Sequence, residues 1–231
     1  MRVGLIIPSS NTTMEREFST ALQGTATVHS ARIKLGKVVS NELTAMEDSI
    51  YSEAEKLATA EVDIIVYGCT SGSFIKGHRQ YEMIEEQVER SFRIPCVATA
   101  GAVVRALNHL KAQKISLITP YIHEVTEIEK KYLSHHGFQV VSTYHASILE
   151  NTAIGRVRDE EVLEWALEHA DRNSDALFIS CTNLSTFKAL KNIEEALKIP
   201  AISSNSATLW NTVRRLDVRL PDNSLGRIFT M

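Results

Sequence analysis

Two cysteines of this chain stand in matching surroundings. Cys69 occurs in Tyr67-Gly68-Cys69-Thr70-Ser71-Gly72-Ser73, and Cys181 in Ser180-Cys181-Thr182-Asn183-Leu184-Ser185-Thr186. Each follows an apolar run of strand type and opens a stretch rich in small polar residues, which predicts a turn leading into a helix. Free backbone N–H groups at such a place stabilise anions, and the positive end of a helix lowers a thiol pKa from its ordinary value of about 8.5. Position alone therefore favours a reactive thiol. Taken singly, either cysteine is more often a small buried hydrophobe than a catalyst. The matched pair favours chemistry. Cys96 lies between Pro95 and Val97 inside a predicted strand, has Ala201 as its counterpart, and is expected to be inert.

Other polar residues collect at predicted strand ends. Ser9-Ser10-Asn11-Thr12-Thr13 follows Pro8, Tyr121-Ile122-His123 follows Pro120, and Glu150-Asn151-Thr152 precedes Ile154-Gly155-Arg156. Ser10 and Thr12 are equally good as helix caps, and Asn151 as a turn former. Asn11 is the better ligand candidate, because an amide donates to a carboxylate without adding charge. His78, close behind the Cys69 loop, is a candidate to reach the site, whereas His135-His136 reads as a solvated helix end. The chain carries no G-x-G-x-x-G, no G-x-x-x-x-G-K-[ST] and no H-E-x-x-H, so dinucleotide, P-loop nucleotide and zincin metal have no support. Its three cysteines lack C-x-x-C spacing, which fits neither a disulfide framework nor a zinc site.

The elements that must position these residues follow from hydrophobic pattern. Apolar runs at 3–7, 28–35, 62–67, 96–98, 115–119, 138–142, 176–180 and 201–203 alternate with segments of helical period at 43–57, 83–92, 102–110, 125–133, 162–169 and 187–197. This is the pattern of βα units forming parallel sheets, an α/β fold. A duplication organises it. Arg2-Val3-Gly4-Leu5-Ile6-Ile7-Pro8 aligns with Lys114-Ile115-Ser116-Leu117-Ile118-Thr119-Pro120, and the segment from Asp63 to Thr70 with that from Asp175 to Thr182, both at an offset of 112 residues. Ile94-Pro95 and Ile199-Pro200 match after a shortening of seven residues. Two similar Rossmann-like halves are expected, each with roughly four parallel strands. Residues 1–110, completed by 205–231, form one, and 111–204 the other. A pseudo-two-fold axis then brings Cys69 and Cys181 to opposite sides of one cleft beyond the strand ends.

Composition bounds the function. With 231 residues, 44% of them hydrophobic, and a formal net charge of −3 with no long basic run, the chain predicts a globular protein without a nucleic-acid partner. No stretch has the length of a membrane span, and the start turns polar too soon for a secretory signal, so a cytosolic protein is expected.

Pro8-Ser9-Ser10-Asn11-Thr12-Thr13-Met14-Glu15, Tyr67-Gly68-Cys69-Thr70-Ser71-Gly72-Ser73, Thr119-Pro120-Tyr121, Asn151-Thr152-Ala153-Ile154-Gly155-Arg156 and Ser180-Cys181-Thr182-Asn183-Leu184 together resemble the maleate cis–trans isomerase family of the aspartate/glutamate racemase superfamily. The likeness runs to Leu225-Gly226-Arg227-Ile228-Phe229. It implies a cofactor-independent enzyme acting on a small dicarboxylate, and a homo-oligomer of two or more subunits. It assigns covalent addition to an alkene carbon to Cys69, proton donation to Cys181, and ligand binding to Asn11, Tyr121 and Asn151. Thr70 and Ser71 in one loop, with Thr182 and Asn183 in the other, are the further substrate-binding candidates, since developing charge needs preorganised donors. Three rivals stand beside this reading. A two-thiol racemase of hydantoins or amino acids uses thiols as acid and base, but the amino-acid version's Gly-Cys-Thr-Glu and Asp-Ser-Gly signatures are missing. An arylmalonate decarboxylase runs on one thiol in the second half. A binding protein for small acids needs no reactive thiol.

Overall fold

The computed structural model describes residues 1–220 and 225–230. The strands are β1 (Arg2–Pro8), β2 (Thr27–Ile33), β3 (Ile64–Tyr67), β4 (Cys96–Ala98), β5 (Lys114–Thr119), β6 (Gln139–His145), β7 (Ala176–Ile179) and β8 (Ala201–Ser203). The helices between them are α1 (Met14–Ala21), α2 (Ser40–Ala45), α3 (Glu47–Thr59), α4 (Gln80–Phe92), α5 (Thr99–His109), α6 (His123–His135), α7 (Asn151–Ile154), α8 (Asp159–His169), α9 (Phe187–Leu197) and α10 (Ser204–Arg215). The expected helix over 43–57 is thus a pair, α2 and α3, meeting at Met46.

All eight predicted strands form, in two parallel sheets ordered β2-β1-β3-β4 and β6-β5-β7-β8. The duplication holds in strand register. Val3 pairs with Ile64 as Ile115 pairs with Ala176, and Ile65 pairs with Cys96 as Leu177 pairs with Ala201. Every partner is displaced by the same 112 residues except the last, where the shortened loop enters. The central strands β3 and β7 are buried throughout, which accounts for their continuous Ile/Val/Leu/Phe composition. On β1, Val3, Leu5 and Ile7 face a core shared with α1 and α10, while Ile6 faces a second core that runs on into the other half. No helix among the described residues is long and apolar enough to cross a membrane.

Helix α10 packs along α5 and touches β4, β8 and α1, so it leaves the second sheet and lies on the first half. Hydrophobic pattern alone does not find it. Its residues from Ser204 to Val213 are all buried, but Ser204, Asn205, Ser206, Thr208, Asn211 and Thr212 are polar. Their groups are satisfied locally or by neighbours. Ser203 and Ser206 form a capping box, the Thr208 hydroxyl donates to Ser204 O at 2.6 Å, and the Asn211 amide oxygen accepts from Arg105 Nη1 at 3.0 Å.

A buried carboxylate ties α1 to the second half. Glu17 Oε1 accepts the Thr186 and Phe187 N–H groups at 2.8 and 3.0 Å, and Oε2 accepts Asn205 Nδ2 at 2.6 Å. It caps the start of α9, where Thr186 makes no capping bond of its own. Burial pushes its pKa up to about 7 and the three donors oppose that rise. Asn205 passes the link on by donating to Thr182 O at 3.1 Å. Glu17→Ala leaves these buried donors without a partner, and is expected to lower the unfolding free energy by about 3 kcal/mol. Urea denaturation measures this, and a loss below about 0.5 kcal/mol would show that the capping contact carries no weight.

Candidate active site

Beyond the ends of β3 and β7 the two halves meet. Gly68 follows β3 because a side chain there would run into Met14 and come within 2.8 Å of Ile7 Cγ2. Cys69 comes next, and its sulfur accepts the Gly72 N–H at 3.3 Å, with Ser71 Oγ at 4.0 Å. Gly72 is required there as well, since a Cβ at that position would stand 2.9 Å from Cys69 Sγ. Cys181 follows β7 and Ser180, with φ of +100°, a conformation that costs an L-residue energy and persists only where its surroundings enforce it. Ser204 Oγ accepts the Cys181 N–H at 3.0 Å, and Asn183 N–H points at Cys181 Sγ at 3.4 Å.

The two thiol loops are stitched to each other. Thr70 Oγ1 donates to the same Ser204 Oγ at 2.8 Å, and Thr182 Oγ1 donates to Gly68 O at 3.0 Å. Asn11 Nδ2 donates to Thr182 Oγ1 at 3.1 Å while its Oδ1 accepts the Thr13 and Met14 N–H groups, so it both links the halves and starts α1. Asn183 reaches back: Oδ1 accepts the Thr12 N–H at 2.8 Å, and Nδ2 donates to Asn151 O at 2.7 Å. Asn151 Nδ2 donates to Ser10 Oγ at 2.8 Å. Tyr121 lies against Ser180, with Ser180 Oγ donating to Glu129 Oε1 at 2.6 Å and more weakly to Tyr121 Oη at 3.4 Å.

The structure therefore brings Asn11, Cys69, Thr70, Ser71, Tyr121, Asn151, Cys181, Thr182 and Asn183 to one place, none of them more than 5% exposed. Burial governs their protonation. It pushes Cys69 up to about 11 against the opposing Gly72 N–H, the Ser71 hydroxyl and the nearby Tyr67 phenol, and Cys181 up to about 12 against the Asn183 N–H and the nearby Tyr121 phenol. This corrects the expectation of a thiol lowered by a helix end. The Cys69 loop makes only a single 3₁₀ turn at Ser71–Ser73, α4 starts much later at Gln80, and one backbone N–H reaches the sulfur. Glu129 is pushed up to about 8 by burial against the Ser180 bond, so it carries its proton at neutral pH.

His78 does not join the site. It is exposed and stacks on His135 with ring centroids 3.5 Å apart. Cys96 is fully buried inside β4 beside the Glu85 and Glu89 charges, and burial holds its thiol well above the ordinary range. Four residues escaped the sequence reading: Tyr67, Glu129, Ser180 and Ser204. Ser204 directly follows a predicted strand, and Glu129 sits on the apolar stripe of α6 with Val125, Tyr132 and Leu133, a placement that marks a buried charge. Among the described residues no group of three or more His, Cys, Asp or Glu is arranged to hold a metal ion.

Comparison with known proteins adds to this geometry. The family model described as arylmalonate decarboxylase matches residues 3–229. The curated maleate isomerase of Pseudomonas putida is 30% identical, covering 94% of this chain and 92% of its own length, and that of Geobacillus stearothermophilus is 28% identical over the same shares. Among solved structures, a maleate isomerase variant from Pseudomonas putida S16 with maleate superposes with a TM-score of 0.95 at 26% identity, covering 100% of this chain and 97% of that one. A variant of the Nocardia farcinica maleate cis–trans isomerase with a covalently bound succinylcysteine intermediate superposes with a TM-score of 0.93 at 27% identity, covering 99% and 97%. With a model match over nearly its whole length and a relative at 30% identity, the chain belongs to the arylmalonate decarboxylase family and, within it, to the maleate isomerases.

Proposed function

We propose that this protein converts maleate, or a close cis-dicarboxylate, to the trans isomer through a covalent succinyl-cysteine intermediate. The observation that carries the reading is a pair of buried thiols at equivalent strand ends, meeting one set of neutral donors where the halves join. Cys69 as thiolate adds to one alkene carbon, and the π electrons move onto the neighbouring carbon and its carboxylate. The Cys181 S–H gives that carbon its proton. The former double bond is now single and rotates. Cys181 then takes a proton back from that carbon, the C–S bond breaks, its electron pair returns to Cys69, and the trans alkene forms. Nothing is oxidised or reduced overall, so the two side chains supply the whole chemistry without a cofactor. The solved relative with a succinylcysteine intermediate supports the covalent step.

Asn11, Tyr121, Asn151, Thr70, Ser71, Thr182 and Asn183 are proposed to hold the two carboxylates. Their donors are neutral, which suits a reaction whose negative charge shifts from sulfur to carboxylate and back. The decarboxylase reading draws on the family model's description and on an arylmalonate decarboxylase from Bordetella bronchiseptica at 25% identity over 78% of this chain. A second thiol at Cys69 favours the isomerase, because decarboxylation through a single protonating thiol leaves Cys69 without a task.

Proton NMR of maleate in heavy water tests the assignment. The wild-type chain is expected to yield fumarate with no added cofactor, Cys69→Ala to lose about a thousandfold in rate or more, and Cys96→Ala to stay within about twofold. A Cys96 variant as inactive as the Cys69 variant would overturn the assignment of the nucleophile. Phenylmalonate losing carbon dioxide while maleate stays unchanged would favour the decarboxylase. The thiol pKa values set a second expectation. Because burial raises both, the thiolate of Cys69 becomes more populated as pH rises toward about 11, while Cys181, at about 12, keeps its proton. The kcat/KM for maleate is therefore expected to climb steadily from pH 7 to pH 10, and a flat or falling profile over that range contradicts the scheme.

A further inference from the structure

Tyr67 ends β3 two residues before Cys69 and is completely buried. Its hydroxyl has no hydrogen-bond partner among the described residues, a costly condition for a phenol in a protein interior. Gly72 shows where that hydroxyl points. A Cβ on Gly72 would lie 2.5 Å from Tyr67 Oη and 2.9 Å from Cys69 Sγ, so phenol and thiol border one and the same glycine. A larger residue at 72 would separate them. The second half has an equivalent arrangement reached by another route. There Tyr121, just beyond the end of β5, lies near the Cys181 thiol and opposes the rise that burial imposes on its pKa. The two tyrosines are not repeat equivalents, since Ile179 occupies the place of Tyr67 and Ser9 that of Tyr121. Each thiol has thus obtained a phenol from its own half independently, which points to a need shared by both.

We propose that Tyr67 is a further catalytic residue of this site: its O–H donates to the Cys69 thiolate, holding that sulfur when it is poised to attack and again when it leaves the substrate carbon. The proposal rests on the reading of Cys69 as the nucleophile. A neutral phenol suits the role, because burial and the neighbouring thiol push the Tyr67 pKa well above the ordinary tyrosine value and it remains a donor at every working pH. The titratable groups around the pair are few. Glu47 of α3 faces Tyr67, engaged with Gln80 Nε2 and Lys76 Nζ, and Tyr121 and Cys181 face Cys69 from the other half. The hydroxyl is absent from any other structural network, so removing it alters the thiolate more than the fold.

Alkylation of Cys69 by iodoacetamide, followed by mass spectrometry of the peptide that contains it between pH 7 and 10, separates this role from packing. In Tyr67→Phe the reaction at Cys69 is expected to slow about tenfold at a given pH, its pH profile moving up by about one unit. Alkylation of Cys181 and the thermal unfolding midpoint stay as in the wild type. With maleate, kcat falls about tenfold or more and KM stays within about twofold. Superimposable Cys69 profiles in the two proteins overturn the proposal, and so does an equal displacement at Cys69 and Cys181, which marks a general loosening. The alkylation readout uses no substrate. If the wild-type chain leaves maleate untouched, the isomerase reading fails while the effect of the phenol on the thiol is still measured.

Discussion

Burial of two thiols at the joint between two half-size sheets is the constraint on which the rest of this structure depends. A thiolate in such a place is penalised by desolvation, and burial is the leading influence on both Cys69 and Cys181. What the fold supplies in return is a small number of neutral, fixed donors: the Gly72 and Asn183 N–H groups on the sulfurs, and the Ser71, Tyr67 and Tyr121 hydroxyls around them. Fixed donors in a dry site are worth more to a shifting negative charge than mobile ones in water, and they do not have to reorganise as the charge moves. A positive side chain on the sulfur would trap the thiolate or the substrate dianion as a stable ion pair. In the proposed reaction, the neutral arrangement leaves the charge movable between sulfur and carboxylate.

Holding that arrangement requires the halves to stay in register, and the hydrogen bonds that do so are the ones nearest the chemistry. Ser204 receives a bond from each thiol loop, Thr182 bridges Asn11 to the Gly68 carbonyl, and Asn183 ties the second loop to residues 10, 12 and 151. These same bonds hold Cys181 at a backbone angle it would not choose alone. Helix α10 and the buried Glu17 carboxylate act one layer further out, α10 by carrying Ser204 and Asn205 across to the first half, Glu17 by anchoring the start of α9. The polar residues that make up this joint hold the halves together and, in the proposed reaction, serve the chemistry as well.

Much of the architecture was legible in the sequence. Strands β3 and β7 announce themselves because they are buried on both faces, and the 112-residue offset appears because strand ends that must hold a thiol and turn sharply have little freedom in composition. The paired cysteines and Asn11, Tyr121 and Asn151 were found at strand ends for that reason, and the structure brings them together. Helix α10 was hidden because its buried faces are hydroxyls and amides, so no apolar period marks it. The thiol pKa runs opposite to the direction expected from a helix start, because Ser71–Ser73 is a single turn and not a full helix. His78 is near Cys69 in sequence but is drawn to the α6 end by His135. Tyr67 needed coordinates, since only burial without a partner distinguishes it from an ordinary core residue, whereas Glu129 is marked by its place on the apolar stripe of α6.

The central claim is that Cys69 bonds to substrate while Cys181 handles the proton. Intact-mass and peptide mass spectrometry of the Cys181→Ser variant after incubation with maleate test it most directly. With the proton shuttle weakened, the account predicts an adduct with the mass of one maleic acid, located on the peptide that contains Cys69. An adduct on Cys96 alone, or no adduct in a variant that still isomerises maleate, would contradict it.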